Sequence, residues 1–381
     1  MFKAEELKLV FSGEDYFTRA LEIINRSTRK IHLQTYIFTS DSTGELVIAA
    51  LKNAASRGVA IYVLADAFGS AGLGRHSISQ MEDAGIKFRM FSPLFVHHRL
   101  RFGRRLHHKI LLADETEALI GGINIEDKYR VEGVKTPWLD YAVYLTGPVC
   151  QYISHVCENI WQGKFYKARK KRRRLKRLIN DSNHPHSGLD VRILQNDWLY
   201  KKDGISRNYR HALKSAHSSI VILCSYFLPG RRIRNLLLKA AAGNVRVSLI
   251  LQGASDVTLV KKATTWLYAW MLRNNFEIYE WDKSVLHGKM TCVDNSWITI
   301  GSYNVNHLSD YGSIETNVAS HASVLCDAVR EELLRVKDSS KRVTYSEYHN
   351  KMNVFEQFSC WLSFHVIRLL FKLQYALLSR E

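Results

Sequence analysis

The sequence has no Cys-x-x-Cys pair and no paired histidines at zinc spacing, so its six cysteines (Cys150, Cys157, Cys224, Cys292, Cys326, Cys360) indicate neither a metal centre nor a disulfide framework. They read as buried free thiols of a reducing compartment. No carboxylate cluster offers Mg²⁺ a dedicated site, and no cofactor is implied. The N-terminus, Met-Phe-Lys-Ala-Glu-Glu, lacks the basic-then-apolar order of a secretion signal, which predicts a cytosolic chain. Its apolar tail, Val354 to Leu378, is interrupted by Ser363, His365, Arg368 and Lys372, and two cations near mid-membrane argue against a bilayer-spanning helix. Acidic residues are also scarce, 36 against 54 Lys and Arg in 381 residues, for a formal charge of +18. The partners this implies are polyanions, either nucleic acid or an anionic membrane surface.

The chain repeats itself. Ile31 to Phe38 and Ile220 to Phe227 are apolar, β-branched and aromatic runs, each ending in a Tyr-apolar pair, and both read as buried strands. A helix follows each, over Gly44 to Arg57 and over Arg232 to Ala242. Gly58 and Gly243 stand where a helix C-cap calls for a left-handed residue. Strands over Ala60 to Ala65 and Val245 to Leu251 come next, so each half opens strand-helix-strand. That pattern predicts an α/β fold with helix-covered sheets. Lys164 to Arg177, with ten Lys or Arg in 14 residues, reads as a linker. The domain reading is therefore a first half over 1–163, a basic linker over 164–188, a second half over 189–338 and a tail over 339–381.

The chemistry is carried by His107-x-Lys109-x4-Asp114-x6-Gly121-Gly122-x-Asn124, matched by His287-x-Lys289-x4-Asp294-x6-Gly301-Ser302-x-Asn304. A lone His-x-Lys is a weak signal. Two copies with identical spacing, in equivalent halves, are a strong one. On a strand, residues i and i+2 share a face, so each copy presents an imidazole with an ammonium. Asp114 and Asp294, grouped with the catalytic motif, stand beyond a predicted turn and read as braces for the strands. Asn124 and Asn304 follow small residues that allow close approach of a ligand, and their amides suit an anionic oxygen.

Together these groups suit a phosphodiester, with the two lysines neutralising charge that a metal would otherwise handle. One neutral histidine attacks phosphorus while the other, protonated, releases the leaving alkoxide. Each imidazole needs an acceptor on its far nitrogen, and Asp140 and Glu315 stand at matching places downstream.

These paired motifs resemble those of the phospholipase D superfamily over nearly the whole chain. More narrowly, the sequence is similar to bacterial cardiolipin synthases of the B type. Tyr-Ile-Phe-Thr-Ser-Asp-Ser-Thr-Gly (36–44), Asp-Ala-Phe-Gly-Ser (66–70), Ser-Tyr-Phe-Leu-Pro-Gly (225–230), Leu-Ile-Leu-Gln-Gly (249–253) and Leu-His-Gly-Lys (286–289) carry the likeness. The Arg-rich approach to the first motif (Arg99, Arg101, Arg104, Arg105) adds to it. The resemblance implies two pseudo-symmetric halves sharing one site. It implies that one phosphatidylglycerol is cleaved to a phosphatidyl-histidine and a second supplies the attacking hydroxyl, giving cardiolipin and glycerol. It also implies His107 as nucleophile and His287 as acid and base, an assignment that the residues themselves leave open. Gln34 departs from the pattern, since relatives commonly carry Glu there.

The resemblance implies peripheral contact with the cytoplasmic face of the bacterial inner membrane, with anionic phospholipid as partner. His365, Arg368 and Lys372 fall on one helical face among apolar residues, suiting an amphipathic helix in the headgroup region. The alternative is a helix docked on the protein's own core. The basic linker reads either as a solvated run or as a holder of anionic lipid headgroups or nucleic acid. Competing functions are a hydrolase that transfers to water and a nuclease of the same superfamily; the apolar tail has no use in a soluble nuclease, so nucleic acid is the poorer partner.

Overall fold

The computed structural model describes residues 1–93, 95–96, 99–100, 104–130, 136–163, 188–200 and 202–378. The predicted linker segment Lys164 to Arg177 and Arg101 lie outside the described residues.

Two mixed sheets repeat one strand order. In the first half a seven-stranded sheet runs Leu7–Phe11, Tyr141–Thr146, Glu117–Gly121, Lys109–Ala113, Lys30–Thr35, Ala60–Asp66, Lys87–Phe91. In the second the same order appears as Leu189–Asp197, Ser313–Ser320, Trp297–Gly301, Lys289–Val293, Ser219–Cys224, Arg246–Gln252, Glu277–Trp281. The strand-helix-strand openings give the parallel pairs, Ile31 opposite Ile61 and Ile220 opposite Val247, while the motif strands pair antiparallel. The two predicted helices span Ser42–Ser56 and Arg231–Ala242. Only one predicted glycine cap is left-handed. Gly58 has φ +86°, whereas Gly243 has φ −88° and Asn244 takes the left-handed turn at φ +63°. Asn tolerates that region because its short amide can bond locally.

The first half lends two strands to the second sheet. Phe2–Ala4 pairs with Leu189–Asp197, and Arg105–Leu106 runs parallel to Ser313–Ile314, so both complete the second sheet, as does Lys341–Val343 at its far edge. Sheet membership thus crosses the predicted domain limits at residues 1–163 and at 339. The motif strands are buried on both faces, which period-2 alternation divides between two cores. Leu111 and Ala113 join the first half's own core, while Ile110 and Leu112 face a cluster that also holds Met290, Ile298, Ile300 and Val318 of the second half. Truncating Ile110 or Met290 to Ala costs about 2–5 kcal/mol and loosens the contact on which the site depends.

The tail forms one helix over Val354–Leu378, packed along Thr258–Trp266. Cys360, Ser363 and Ile367 are buried at helical spacing, and Phe364 and Phe371 pack against the second-half core. Val354, Phe355, Phe358, Leu362, Leu369 and Leu373 remain exposed, Phe355 at 86%. The helix is therefore docked by one stripe and apolar on another. Among the described residues, no helix is long and apolar enough to cross a membrane.

Candidate active site

Each motif histidine sits just before its strand, and the lysine begins it. Extended backbone keeps the two side chains on one side, and each ammonium curls back onto the carbonyl oxygen of its own histidine: Lys109 Nζ donates to His107 O at 2.6 Å, and Lys289 Nζ bonds His287 O likewise. Both lysines are 2% exposed. Burial and the neighbouring Lys289 push Lys109 down to about 7, and burial lowers Lys289 as well. Two desolvated ammonium groups held side by side are costly without an anion between them. The site is built for one.

The carboxylates orient the imidazoles across the two halves. His107 of the first half bonds Glu315 of the second, Nδ1 to Oε2 at 3.0 Å, while His287 of the second half bonds Asp140 of the first, Nδ1 to Oδ2 at 2.6 Å. Both carboxylates are fully buried. The crossing is enforced by backbone. His107 N donates to Ile314 O at 3.0 Å, one residue before Glu315, and both His287 N and Gly288 N donate to Leu139 O at 2.8 Å, one residue before Asp140. Each histidine is thus tied to the strand that carries its partner.

Burial, together with the Lys289 and Lys109 ammonium groups, drives His287 far below its ordinary value, and burial lifts Asp140 to about 6. Near neutral pH the pair is a neutral imidazole donating its Nδ1 proton to a carboxylate. For Glu315 burial pushes upward, but its contacts with His107, Lys109 and the Ser302 hydroxyl outweigh it and hold the carboxylate low. Burial lowers His107, against the pull of Glu315. Nδ1 is then the donor in both pairs, which leaves each Nε2 as the lone-pair nitrogen. Lys289 Nζ lies 2.9 Å from His287 Nδ1 and 3.3 Å from its Nε2, whereas His107 Nε2 has no bonded partner among the described residues. The His107 side chain is 17% exposed and that of His287 7%.

Asn124 and Asn304 lie in the same region in unlike states. Asn124 Oδ1 accepts from Ile37 N at 3.1 Å, and its amide donates to Tyr129 Oη at 2.8 Å, which itself lies 3.2 Å from His287 Nδ1. Asn304 Oδ1 accepts from Ser225 Oγ at 2.8 Å. Asp114 and Asp294 are elsewhere, at the far ends of the motif strands. Asp114 accepts from the backbone N–H of Thr28, Arg29 and Lys30, each at 2.8 Å, and Asp294 from His217, Ser218 and Ser219 at 2.8 to 3.0 Å. They clamp the turn entering the neighbouring strand. The grouping of these two with the catalytic residues is corrected accordingly: an odd offset plus a turn carries them out of the site, and their role is bracing.

A family model described as "Cardiolipin synthase, PLD-like domain" matches residues 20–132 and 209–337, one segment and one motif per half. The chain belongs to this family. Cardiolipin synthase B of Shigella flexneri is 32% identical over 343 residues, which cover 87% of this chain and 80% of that protein. Cardiolipin synthase B of Escherichia coli strain K12 matches to the same extent. Among solved structures, phosphatidylserine synthase of Haemophilus influenzae Rd KW20 superposes with a TM-score of 0.73 over 98% of this chain and 96% of that one. At 14% identity that likeness speaks for the fold alone.

Several groups of this site stood in the family-like stretches without a role being legible for them. Asp66 and Gln252 end equivalent parallel strands and hold the residue before each histidine. Asp66 accepts from Leu106 N at 2.8 Å, and Gln252 Nε2 donates to Leu286 O at 2.8 Å. Tyr36 and Tyr226, seen as the end of an apolar run and within two of those stretches, set their rings edge-on to His107 and His287. Gln34, seen as a departure from the family, is fully buried: its Nε2 donates to Cys157 O at 2.9 Å and its Oε1 accepts from His108 Nε2 at 2.9 Å. Burial pushes His108 down to about 3, so it stays neutral, and a neutral amide partner matches it. His108 Nδ1 meets Thr316 Oγ1 at 3.2 Å, beside Glu315. Arg104 and Arg105 are also placed, against Asp197 and Asp66.

Proposed function

We propose that the protein is a cardiolipin synthase that moves a phosphatidyl group between two phosphatidylglycerol molecules. The observation that carries the reading is the crossed pair of histidine–carboxylate dyads over two buried lysines, in a chain of this family. Two histidines and two cations suit a double displacement at one phosphorus, which needs a nucleophile, an acid and charge neutralisation.

His107 Nε2 is the nucleophile, supported by its greater exposure and its unpartnered state. It attacks phosphorus of the first lipid, forming a P–N bond as the P–O bond to the terminal glycerol breaks. Protonated His287 gives its proton to that departing oxygen. His287 then takes the hydroxyl proton of the second phosphatidylglycerol, whose oxygen attacks phosphorus and breaks the P–N bond. The products are one cardiolipin and one glycerol, with both histidines restored. Lys109 and Lys289 bind the non-bridging oxygens, with Asn304 beside them, while Asp140 and Glu315 are positioning residues. Burial is the largest cause of the depressed His287, and the two lysines add to it; an arriving phosphodiester offsets the lysine part and so raises the proton affinity of the acid.

The exposed apolar stripe of the tail helix, beside Arg368, supports peripheral contact with an anionic membrane, as does the basic segment 164–177. We infer that the enzyme works at the cytoplasmic face of the bacterial inner membrane, a reading supported by its family and by this apolar and basic surface. The test is incubation of purified protein with phosphatidylglycerol vesicles, without added metal, with lipids followed by mass spectrometry. Cardiolipin and glycerol in equal amounts are expected, and both vanish in His107→Ala and His287→Ala. Phosphatidic acid alone would make water the acceptor, and unchanged lipid would overturn the reading.

A further inference from the structure

The second half holds a cavity of about 590 Å³ that contains none of the motif residues. Lys202, Arg207, Arg210, Arg231 and Arg232 line it against two carboxylates, Asp203 and Asp310. Both acids are already engaged. Asp203 pairs with Arg207 at 2.7 Å and Arg210 at 3.5 Å, and Asp310 accepts from Ser206 Oγ at 2.5 Å and Tyr303 Oη at 2.8 Å. Arg231 and Arg232 have no carboxylate partner among the described residues, so the cavity keeps an excess of positive charge.

The cavity lies one residue layer behind the catalytic site. Ser302 bonds Glu315 and Asn304 bonds Ser225, whereas Tyr303 between them sends its hydroxyl to Asp310 at the cavity wall. Trp198 and Tyr311 add aromatic wall. On the other side, the short helix His307–Tyr311 touches the tail helix, and His307 is lowered chiefly by burial, with Arg368 of the tail adding to it against Asp310. The cavity therefore adjoins the helix whose other stripe is exposed and apolar.

We propose that this cavity is a second, non-catalytic site for the phosphate of an anionic phospholipid headgroup, held chiefly by Arg231 and Arg232. Free phosphate shares the charge but not the fit: it fills little of this volume and has no use for aromatic walls or an adjoining apolar helix. Guanidinium groups suit phosphate because their fork engages two oxygens at once. Occupancy would seat the second half on the bilayer while the motif site handles a different lipid. The inference rests on the reading of a phospholipid surface as the workplace of the enzyme.

The test uses the full chain with His107→Ala, so that binding is read without turnover. Its affinity is measured for vesicles of phosphatidylcholine with and without phosphatidylglycerol. Adding Arg231→Gln and Arg232→Gln is expected to weaken phosphatidylglycerol-dependent binding about 30-fold, from roughly one kcal/mol per arginine. Removing the same charge at Lys214 and Arg246, at the opposite end of the sheet, is expected to change it less than about threefold, since screening acts over ~10 Å. Glycerol phosphate in solution should compete for the difference between the two double variants. Equal losses from both, or no competition, would overturn the site in favour of diffuse surface charge. Inorganic phosphate bound through Arg231 and Arg232 with vesicle affinity unchanged would overturn the lipid as its source. Failure of the wild-type protein to make cardiolipin, with these binding results intact, would strike the proposed function and leave the site standing.

Discussion

The two halves carry the same motif at the same spacing, yet they surround their histidines differently. The His107 dyad is closed by a glutamate that also accepts from Ser302 Oγ and, at 2.7 Å, from Ser313 Oγ. The His287 dyad is closed by an aspartate whose other oxygen accepts from Tyr141 N at 2.7 Å. The small residues preceding the asparagines explain the pairing. Gly122 leaves no room for a side chain, since a Cβ there would collide with the Asp140 carboxylate, whereas Ser302 fills the matching place with a hydroxyl aimed at Glu315. Both dyads lie beside the two lysines, but the His287 pair is shorter and more buried, whereas the His107 pair is longer, better hydrogen-bonded and more open. Duplication thus supplies two imidazoles, and the local differences are what the proposed mechanism uses to divide their work.

The sharpest way to break that division is to trap the intermediate. His107→Ala and His287→Ala should each lower turnover by about 10⁴-fold or more, as for loss of a nucleophile or its acid–base partner. With radiolabelled phosphatidylglycerol and an alkaline quench, only His287→Ala should retain label on protein. Label on His107→Ala instead would reverse the roles.

Next come the orienting carboxylates. Asp140→Asn and Glu315→Gln should each cost about 10³–10⁴-fold in kcat, because an amide cannot hold the required tautomer. Equal KM values and unchanged melting temperatures would separate this positioning effect from a folding defect. A loss under about tenfold would mean that the crossing is structural only.

The lysines follow. Lys109→Met should cost about 10²–10³-fold, the range seen when one stabilising donor is removed. The proton affinity of Lys109 also predicts a pH limb. The free-enzyme value is lowered to about 7 by burial beside Lys289, so the ammonium is lost as pH rises through about 7. Substrate needs the charged form, so kcat/KM should fall on that side while kcat, which reports the lipid-bound site, falls later. A kcat/KM profile flat above about 7 would contradict it.

The smallest effects test the asymmetry itself. Ser302→Gly should cost about tenfold or less, since Glu315 keeps Ser313 and His107. Gly122→Ser should cost more and lower the melting temperature, because it displaces Asp140. Gln34→Glu, which restores the residue common in relatives, should raise the proton affinity of His108, read as an NMR titration shift.

Much of this was legible before folding was considered. The repeat, the parallel openings and the motif chemistry follow from local spacing, and six expected groups (His107, Lys109, His287, Lys289, Asp140 and Glu315) do meet in the structure. Asp114 and Asp294 were legible as braces from their odd offset. Gln252 fell within a family-like stretch but showed no role there, because a polar residue ending a strand looks like any other. The tail showed its apolar content, but not which stripe would be covered, since that depends on the groove beside Thr258–Trp266.

What the sequence by itself determined is the chemistry: two His-x-Lys pairs on extended backbone, in repeated α/β halves, with small residues and asparagines to follow. What only the tertiary structure decided is who serves whom. Glu315 lies 208 residues from His107, and Asp140 lies 147 from His287. No local periodicity spans such distances. The two sheets pack through a shared core and tie the segment before each histidine to the other half's carboxylate strand, so the crossing of the dyads is a property of the interface.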